Sequence, residues 1–181
     1  SESIDILNTP PELLDVVLTY SDSLYNDSSV NCTATYTDQD NDPIVETYSW
    51  SDGSEGSSIT LNGTLNPLDE LVCTASISDG TDTAEGSVSQ LIEDRPTEII
   101  GVDITPDENL WTGSTVSCEA EYVDLDGTPN AISYVWMLSD GSTYNGENIT
   151  LPEVLNNSEL TCSASVNNID GTVSSFSHTV T

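Results

Sequence analysis

A unit of cysteine, tryptophan and cysteine occurs twice in this chain of 181 residues and constrains its fold more than any other feature. The first cysteines of the two units are 86 residues apart, and the tryptophans keep the same offset. Separate landmarks that share one register indicate an internal repeat, so we expect two domains of the same fold. The two units are Cys32, Trp50 and Cys73, and Cys118, Trp136 and Cys162.

Around each cysteine and tryptophan, apolar and polar residues alternate, which is typical of a half-buried strand. The pattern places Val30, Cys32, Ala34 and Tyr36 on one face, and it recurs in the second copy up to Tyr122. No helical period of useful length occurs, so the sequence predicts an all-β chain of β-sandwiches. The expected core aromatics are Trp50, Trp136, Tyr48 and Tyr134.

The four cysteines allow three pairings. The pairing within each copy, Cys32 with Cys73 and Cys118 with Cys162, places every bond on an apolar face beside a tryptophan. Zinc is a poor alternative, because no Cys-x-x-Cys spacing occurs and the chain has one histidine. We therefore expect one disulfide within each domain.

The repeat register gives domain boundaries of 10–94 and 95–181. Residues 1–9 align with 87–95, so they resemble the last strand of an upstream copy. If they are a displaced strand, Ile4, Ile6 and Leu7 would anchor it on the sheet edge of a neighbouring copy. The alternative is that the chain continues a longer covalent array.

The net charge is −31, and Arg95 is the only lysine or arginine. This balance excludes nucleic acid and an anionic membrane surface as direct partners, because nothing would neutralise their phosphates. No apolar run has the roughly 18 residues of a transmembrane helix, so we expect no membrane insertion. For Arg95 we weigh a clamp between the domains against a solvated surface ion pair, and we favour the ion pair.

Two acidic loops occupy the same place in the two copies. Asp38, Asp40 and Asp42 alternate in the first loop, and Asp124 and Asp126 in the second. Ca²⁺ takes six to eight hard oxygen ligands, so both loops are candidate Ca²⁺ sites. The alternative is an acidic turn that faces water.

Other candidate sites carry less information. Trp111 aligns with Tyr25, and we expect it to pack rather than to bind a ligand. No nucleophile elbow or phosphate loop occurs, so no enzyme activity is predicted. Sequons, in numbers no greater than chance gives, make N-glycosylation possible on an exported chain; they lie at Asn26, Asn31, Asn62, Asn148 and Asn156.

The Cys–Trp–Cys spacing resembles that of the immunoglobulin fold, in which a tryptophan packs on a disulfide between two sheets. The resemblance covers nearly the whole chain, but the family's tyrosine two residues before the second cysteine is replaced by Leu71 and Leu160. Tyr-x-Trp followed by Asp-Gly also resembles polycystic-kidney-disease-type repeats, although those usually lack cysteines. The chain is most similar to tandem, acidic, disulfide-bearing Ig-like repeats of large prokaryotic surface proteins.

This resemblance implies a non-enzymatic, extracellular segment that acts as a rod or filament subunit, with copies of itself or adjacent repeats as end-to-end partners. A ligand-binding adhesin module for a glycan or protein is the second hypothesis. A Ca²⁺-dependent spacer is the third, with Ca²⁺ as the one cofactor considered.

Overall fold

The structure is a computed structural model that describes residues 7–153 and 158–181. The chain divides into two compact units, and the boundary falls between Glu93 and Asp94. The expected strand residues Ile4 and Ile6 and the sequon residue Asn156 lie outside the described residues. We call the two units domain 1 and domain 2 and describe each by itself.

Domain 1 consists of two three-stranded antiparallel sheets. Sheet I has the order β1-β2-β4, and sheet II has the order β3-β5-β6. The alternation of inward and outward side chains that the sequence predicts is present along β2 and β5. The strands are β1 (Glu12–Thr19), β2 (Ser29–Thr37), β3 (Val45–Trp50), β4 (Ser58–Thr60), β5 (Glu70–Ser78) and β6 (Thr83–Leu91).

Domain 2 repeats this plan and adds one strand. Sheet III has the order β11-β8-β7, and sheet IV has the order β10-β9-β12-β13. The additional strand β10 lies on the edge of β9, where domain 1 has only an isolated bridge between Ser49 and Glu55. The strands are β7 (Glu98–Thr105), β8 (Thr115–Val123), β9 (Ile132–Leu138), β10 (Thr143–Asn145), β11 (Asn148–Thr150), β12 (Leu160–Asn167) and β13 (Val173–Val180).

One disulfide joins the two sheets of each domain, as predicted. Cys32 on β2 is bonded to Cys73 on β5, and Cys118 on β8 is bonded to Cys162 on β12. All four cysteines are buried. By the loop-closure estimate each bond contributes roughly 3–4 kcal/mol, which matters in domains whose cores are small.

The tryptophans pack in the same way in both domains. Trp50 and Trp136 are buried, and the indole N–H of each donates to a glycine carbonyl, at 2.8 Å from Nε1 to the oxygen of Gly56 or Gly146. Tyr48 and Tyr134 are half-buried against these cores. The prediction that Tyr122 faces inward is wrong, because its side chain at the end of β8 is exposed.

Domain 1 is tightly closed where β1 approaches β6. A Cβ atom on Gly86 would lie 2.5 Å from Cδ2 of Leu13, so only glycine fits there without displacing the leucine. Two sandwiches with one inter-sheet disulfide each confirm the predicted all-β, tandem Ig-like fold. No helix among the described residues is long and apolar enough to span a membrane.

Candidate functional site

The first acidic loop follows β2 and gathers three carboxylates. One oxygen from each of Asp38, Asp40 and Asp42 lies within 4.8 Å of the others. Asp38 Oδ1 accepts the backbone N–H groups of Asp40 and Asp42, at 2.9 and 3.2 Å. Asp38 Oδ2 is buried and has no hydrogen-bond partner within residues 7–153 and 158–181.

The second acidic loop follows β8 and is built on the same hydrogen bonds. Asp124 Oδ1 accepts the backbone N–H groups of Asp126 and Thr128, each at 3.1 Å. In this loop, however, Asp124 Oδ2 also has a partner, because the Thr97 hydroxyl donates to it at 2.7 Å. Residue 97 of the second copy corresponds to Pro11 of the first, which has no hydroxyl to donate.

Each loop also holds the segment that precedes the first strand of its own domain, which we call the leading segment. In domain 1 the backbone N–H of Thr9 donates to Asp40 Oδ2 at 2.6 Å. In domain 2 the backbone N–H of Arg95 donates to Asp126 Oδ2. The two bonds are equivalent under the 86-residue offset, so the attachment of the leading segment is part of the repeat.

Arg95 adds a positive charge that the first loop lacks. Its Nη1 lies 3.2 Å from Asp126 Oδ1, and the two side chains are 17% and 0% exposed. Burial is the largest influence on Asp126 and raises the pKa of its carboxyl group, while Arg95 acts in the opposite direction. The net direction is a raised pKa, so burial outweighs the guanidinium at this carboxyl group.

The favoured sequence-based interpretation of Arg95 needs correction. The favoured solvated surface ion pair is wrong because the partner carboxylate is fully buried. Arg95 contacts Asp126 and the carbonyl of Leu125, which belong to domain 2. The clamp between the domains stays a prediction. Residues 95 and 126 repeat the spacing of residues 9 and 40, but this spacing is informative only once the bond between Thr9 and Asp40 is known.

A buried polar network beside this pair was not predicted. Asn168 is buried, and its amide oxygen accepts the backbone N–H of Thr97 at 2.9 Å while its Nδ2 donates to the Thr97 carbonyl at 3.2 Å. Thr97 Oγ1 also accepts the backbone N–H of Asn130. Thr97 thus joins the leading segment of domain 2 to two loops, the one between β8 and β9 and the one between β12 and β13. Neither Thr97 nor Asn168 stood out by composition.

The N-terminal segment of the described chain is attached to domain 1. Asn8 Nδ2 donates to Asp79 Oδ2 and to Asp82 Oδ2, each at 2.9 Å. The bond from Asn8 is the largest cause that lowers the pKa of the Asp79 carboxyl group. Leu7 is 81% exposed and is the one predicted assembly anchor that the described residues include.

The sequons differ in accessibility. Asn31 lies on β2, Asn62 follows β4 and Asn148 lies on β11, and all three are exposed. Asn26 is only 7% exposed. The exposed acceptors therefore lie on or next to sheets I and III.

Trp111 lies on the surface, which contradicts the expected packing role. Its side chain is 65% exposed, although it occupies the place of the half-buried Tyr25 in the repeat. The backbone N–H of each of these two residues donates to the Oγ of the serine three residues later.

The exposed Glu46 on β3 is a second surface group, and its carboxylate accepts hydrogen bonds from the hydroxyls of Tyr36 and Tyr48. Burial, followed by the bond to Glu46, raises the pKa of Tyr48.

Two solved structures are similar to the chain, both with low scores. It is similar to a segment of two fibronectin type III domains from chicken tenascin, with 11% identity and a TM-score of 0.38 over 95% of this chain and 99% of that one. It is also similar to three N-terminal domains of the highly immunogenic outer capsid protein of bacteriophage RB49. There the identity is 17% and the TM-score 0.32, over 94% of this chain and 68% of that one.

No protein-family description matches the chain, and no curated protein matches it. Both structural scores are low, so the fold assignment rests on the strand order and disulfides of this chain itself. Function has to be argued from the sites.

Proposed function

We propose that this chain is a non-enzymatic structural segment of an extracellular surface protein, in which Ig-like domains follow one another end to end. The observation that carries the proposal is the repeated attachment of each leading segment to its own domain. Thr9 donates to Asp40, and Arg95 donates to Asp126. A bond that repeats with the domain supports a unit that is used in series.

The extracellular setting is supported by covalent chemistry and charge. Two inter-sheet disulfides persist in oxidising compartments and are rare in reducing ones. A net charge of −31 is tolerated best where salt shortens the Debye length, which is about 3 Å at 1 M. Both features suit a secreted or surface-exposed chain.

The end-to-end partners are copies of this chain or adjacent repeats of a longer array. Leu7, with Ile4 and Ile6 before it in the sequence, would supply the side chains for addition to a sheet edge of the neighbouring copy. A head-to-tail contact of this kind does not close on itself and produces an open filament. Covalent continuation of the array gives the same order of domains without that contact.

Electron microscopy of the native material tests the proposal. We expect filaments or rods with a repeat set by the domains, and compact single particles would contradict it. Deletion of residues 1–9 then separates the two forms of assembly. Filaments that persist after the deletion rule out strand addition, whereas filaments that are lost, with both domains still folded, support it.

An adhesin module is the second candidate, and the exposure of Trp111 favours it. An exposed indole offers a large, rigid and amphipathic contact surface. In this reading the ligand is a neutral glycan or a protein, since a chain of this charge repels anions. A glycan array with the native chain and with Trp111→Ala is the test. Binding that needs Trp111 supports an adhesin, and an array without hits counts against it.

We also propose that the first acidic loop binds Ca²⁺ and thereby stiffens domain 1. The three clustered carboxylates supply hard oxygens, and the buried Oδ2 of Asp38 has no partner among the described residues. The second loop has the weaker claim to Ca²⁺, because Asp126 is paired with Arg95 and Thr128 replaces the third aspartate. Domain-resolved melting with and without Ca²⁺ tests this difference.

A further inference from the structure

Sheet IV of domain 2 is free of acidic residues, although the chain has 32 of them. None of the residues in β9, β10, β12 and β13 is Asp or Glu. Sheet III, on the other side of the same sandwich, has Glu98, Asp103, Glu119 and Glu121 on its strands. The two sides of domain 2 therefore differ sharply in charge.

The outward-facing side of sheet IV, which we call the neutral face, consists of rows of directly opposed residues across the strands. It combines hydroxyl groups with two exposed apolar side chains near its centre, Val135 at 39% and Met137 at 51% exposure. The Thr161 and Thr179 hydroxyls are hydrogen-bonded to each other at 2.8 Å. The rows are Thr143, Met137, Thr161 and Thr179; Asn145, Val135, Ser163 and Ser177; and Ser133, Ser165 and Ser175.

We propose that the neutral face packs against the same face of a second copy of this chain. Two copies that each carry −31 repel one another, and a contact that buries carboxylates adds a desolvation cost. Packing through the neutral face removes no carboxylate of that sheet from water. It buries the apolar pair and leaves hydroxyl groups that can bond across the interface, directly or through water.

The corresponding face of domain 1 is different at the same positions. Under the 86-residue offset, Val135 and Met137 correspond to Ser49 and Ser51, and sheet II carries Glu85 on its outer face opposite Ser76. The apolar pair and the absence of charge are thus particular to domain 2. The exposed sequon asparagines of the described chain also lie away from sheet IV, so glycans there would not cover it.

The size of the neutral face predicts a weak contact. Three strands of seven or eight residues and one of three residues, about 4.8 Å apart, span roughly 400 Å². A standard stable interface buries about 800 Å² per partner. We therefore expect a reversible dimer that forms at protein concentrations of about 0.1–1 mM, and that strengthens as salt screens the repulsion between the two copies.

Sedimentation equilibrium of the full chain at about 0.05 and 0.5 M NaCl tests the proposal. We expect the average mass to rise with protein concentration, and more steeply at the higher salt. Val135→Ser with Met137→Ser copies the residues of domain 1 and should lower the association constant about tenfold or more. Ser163→Glu, which sets two carboxylates against each other at the centre of the contact, should abolish association.

Ile100→Ser with Ile169→Ser is the matched control, because it removes two exposed apolar side chains that lie off the neutral face. This variant should associate like the native chain, within about twofold. Thermal melts establish that each variant is folded. A native chain that stays monomeric at about 1 mM in both salts would overturn the proposal. So would an equal loss of association in the Val135/Met137 variant and the control.

Discussion

The two acidic loops have the same backbone plan but different ways of handling negative charge. In both loops, the first aspartate accepts hydrogen bonds from two backbone N–H groups of its own loop. The aspartate two residues later accepts a backbone N–H of the leading segment. Domain 2 supplies a guanidinium and a hydroxyl from residues 95 and 97. Domain 1 has Thr9 and Pro11 at those positions and leaves Asp38 Oδ2 without a partner in the described part of the chain.

If the first loop binds Ca²⁺ as proposed, the repeat exchanges an internal cation for an external one. The only arginine of the chain is used to neutralise one buried carboxylate. The equivalent site in domain 1 has three carboxylates and no cation nearby in the sequence, and under the Ca²⁺ proposal its cation comes from solution. The comparison predicts that the domains respond differently to mutation, to Ca²⁺ and to pH.

Removal of the internal cation should have the largest effect. Arg95→Met removes the guanidinium from the buried carboxylate of Asp126 but keeps the backbone N–H bond to it, and breaking one side of a buried ion pair costs about 3 kcal/mol or more. Hydrogen exchange resolved by mass spectrometry should show the loss in peptides from β8 and β12, with β2 and β5 unchanged. Arg95→Met combined with Asp126→Asn should recover much of the stability. Equal losses in both domains would contradict the assignment.

Ca²⁺ should stabilise domain 1 and leave domain 2 nearly unchanged. A cation at about 30 to 100 times its Kd raises the free energy of unfolding by about 2 to 3 kcal/mol, and extracellular Ca²⁺ modules bind with Kd near 10⁻⁴–10⁻³ M. Asp42→Thr, which copies Thr128, should remove most of the response. Thr128→Asp is the reciprocal variant. An equal shift in both domains would indicate general screening instead of a site.

Introducing the two domain 2 side chains, those of residues 95 and 97, at the equivalent positions of domain 1 should have an intermediate effect. Thr9→Arg with Pro11→Thr places a guanidinium and a hydroxyl beside Asp40 and Asp38. We expect a gain of about 1 kcal/mol without Ca²⁺, the size of one net hydrogen bond, and a smaller response to Ca²⁺. Thr9→Met with Pro11→Thr separates the charge from the hydroxyl. A double variant that keeps the full Ca²⁺ response would show that the loops are not interchangeable.

The sequence predicted the fold well because the decisive signals repeat. The 86-residue offset of Cys32, Trp50 and their counterparts identified the two domains and both disulfides. Those positions are buried, and burial leaves a strong pattern of alternating side chains. The additional strand β10 was missed because it is a short edge strand that follows a turn in a region where the second copy has gained residues.

The sites were harder to predict because they depend on which side chains meet across loops. The aspartates of both loops stood out by spacing, yet their difference is set by Arg95 and Thr97, which precede the strands of domain 2. The partner of Arg95 is 31 residues away, and composition gives no hint of its burial. Trp111 was misplaced for the same reason, since alignment with Tyr25 transfers a local turn but not the exposure of the side chain.

The smallest expected effect concerns the leading segment of domain 1. The bond from Asn8 lowers the pKa of Asp79, and a carboxyl group with a lowered folded-state pKa stabilises the fold above its unfolded-state pKa and loses that contribution as pH falls. Asn8→Ala should raise the Asp79 pKa toward its ordinary value and slightly destabilise domain 1 at neutral pH, with the difference vanishing in acid. Carboxyl NMR titration measures this directly. Asp170 is the control, because its pKa is lowered by a hydrogen bond from Thr172 and should be the same in the variant. If the Asp79 pKa also stays unchanged, Asn8 does not hold the leading segment to domain 1 in solution.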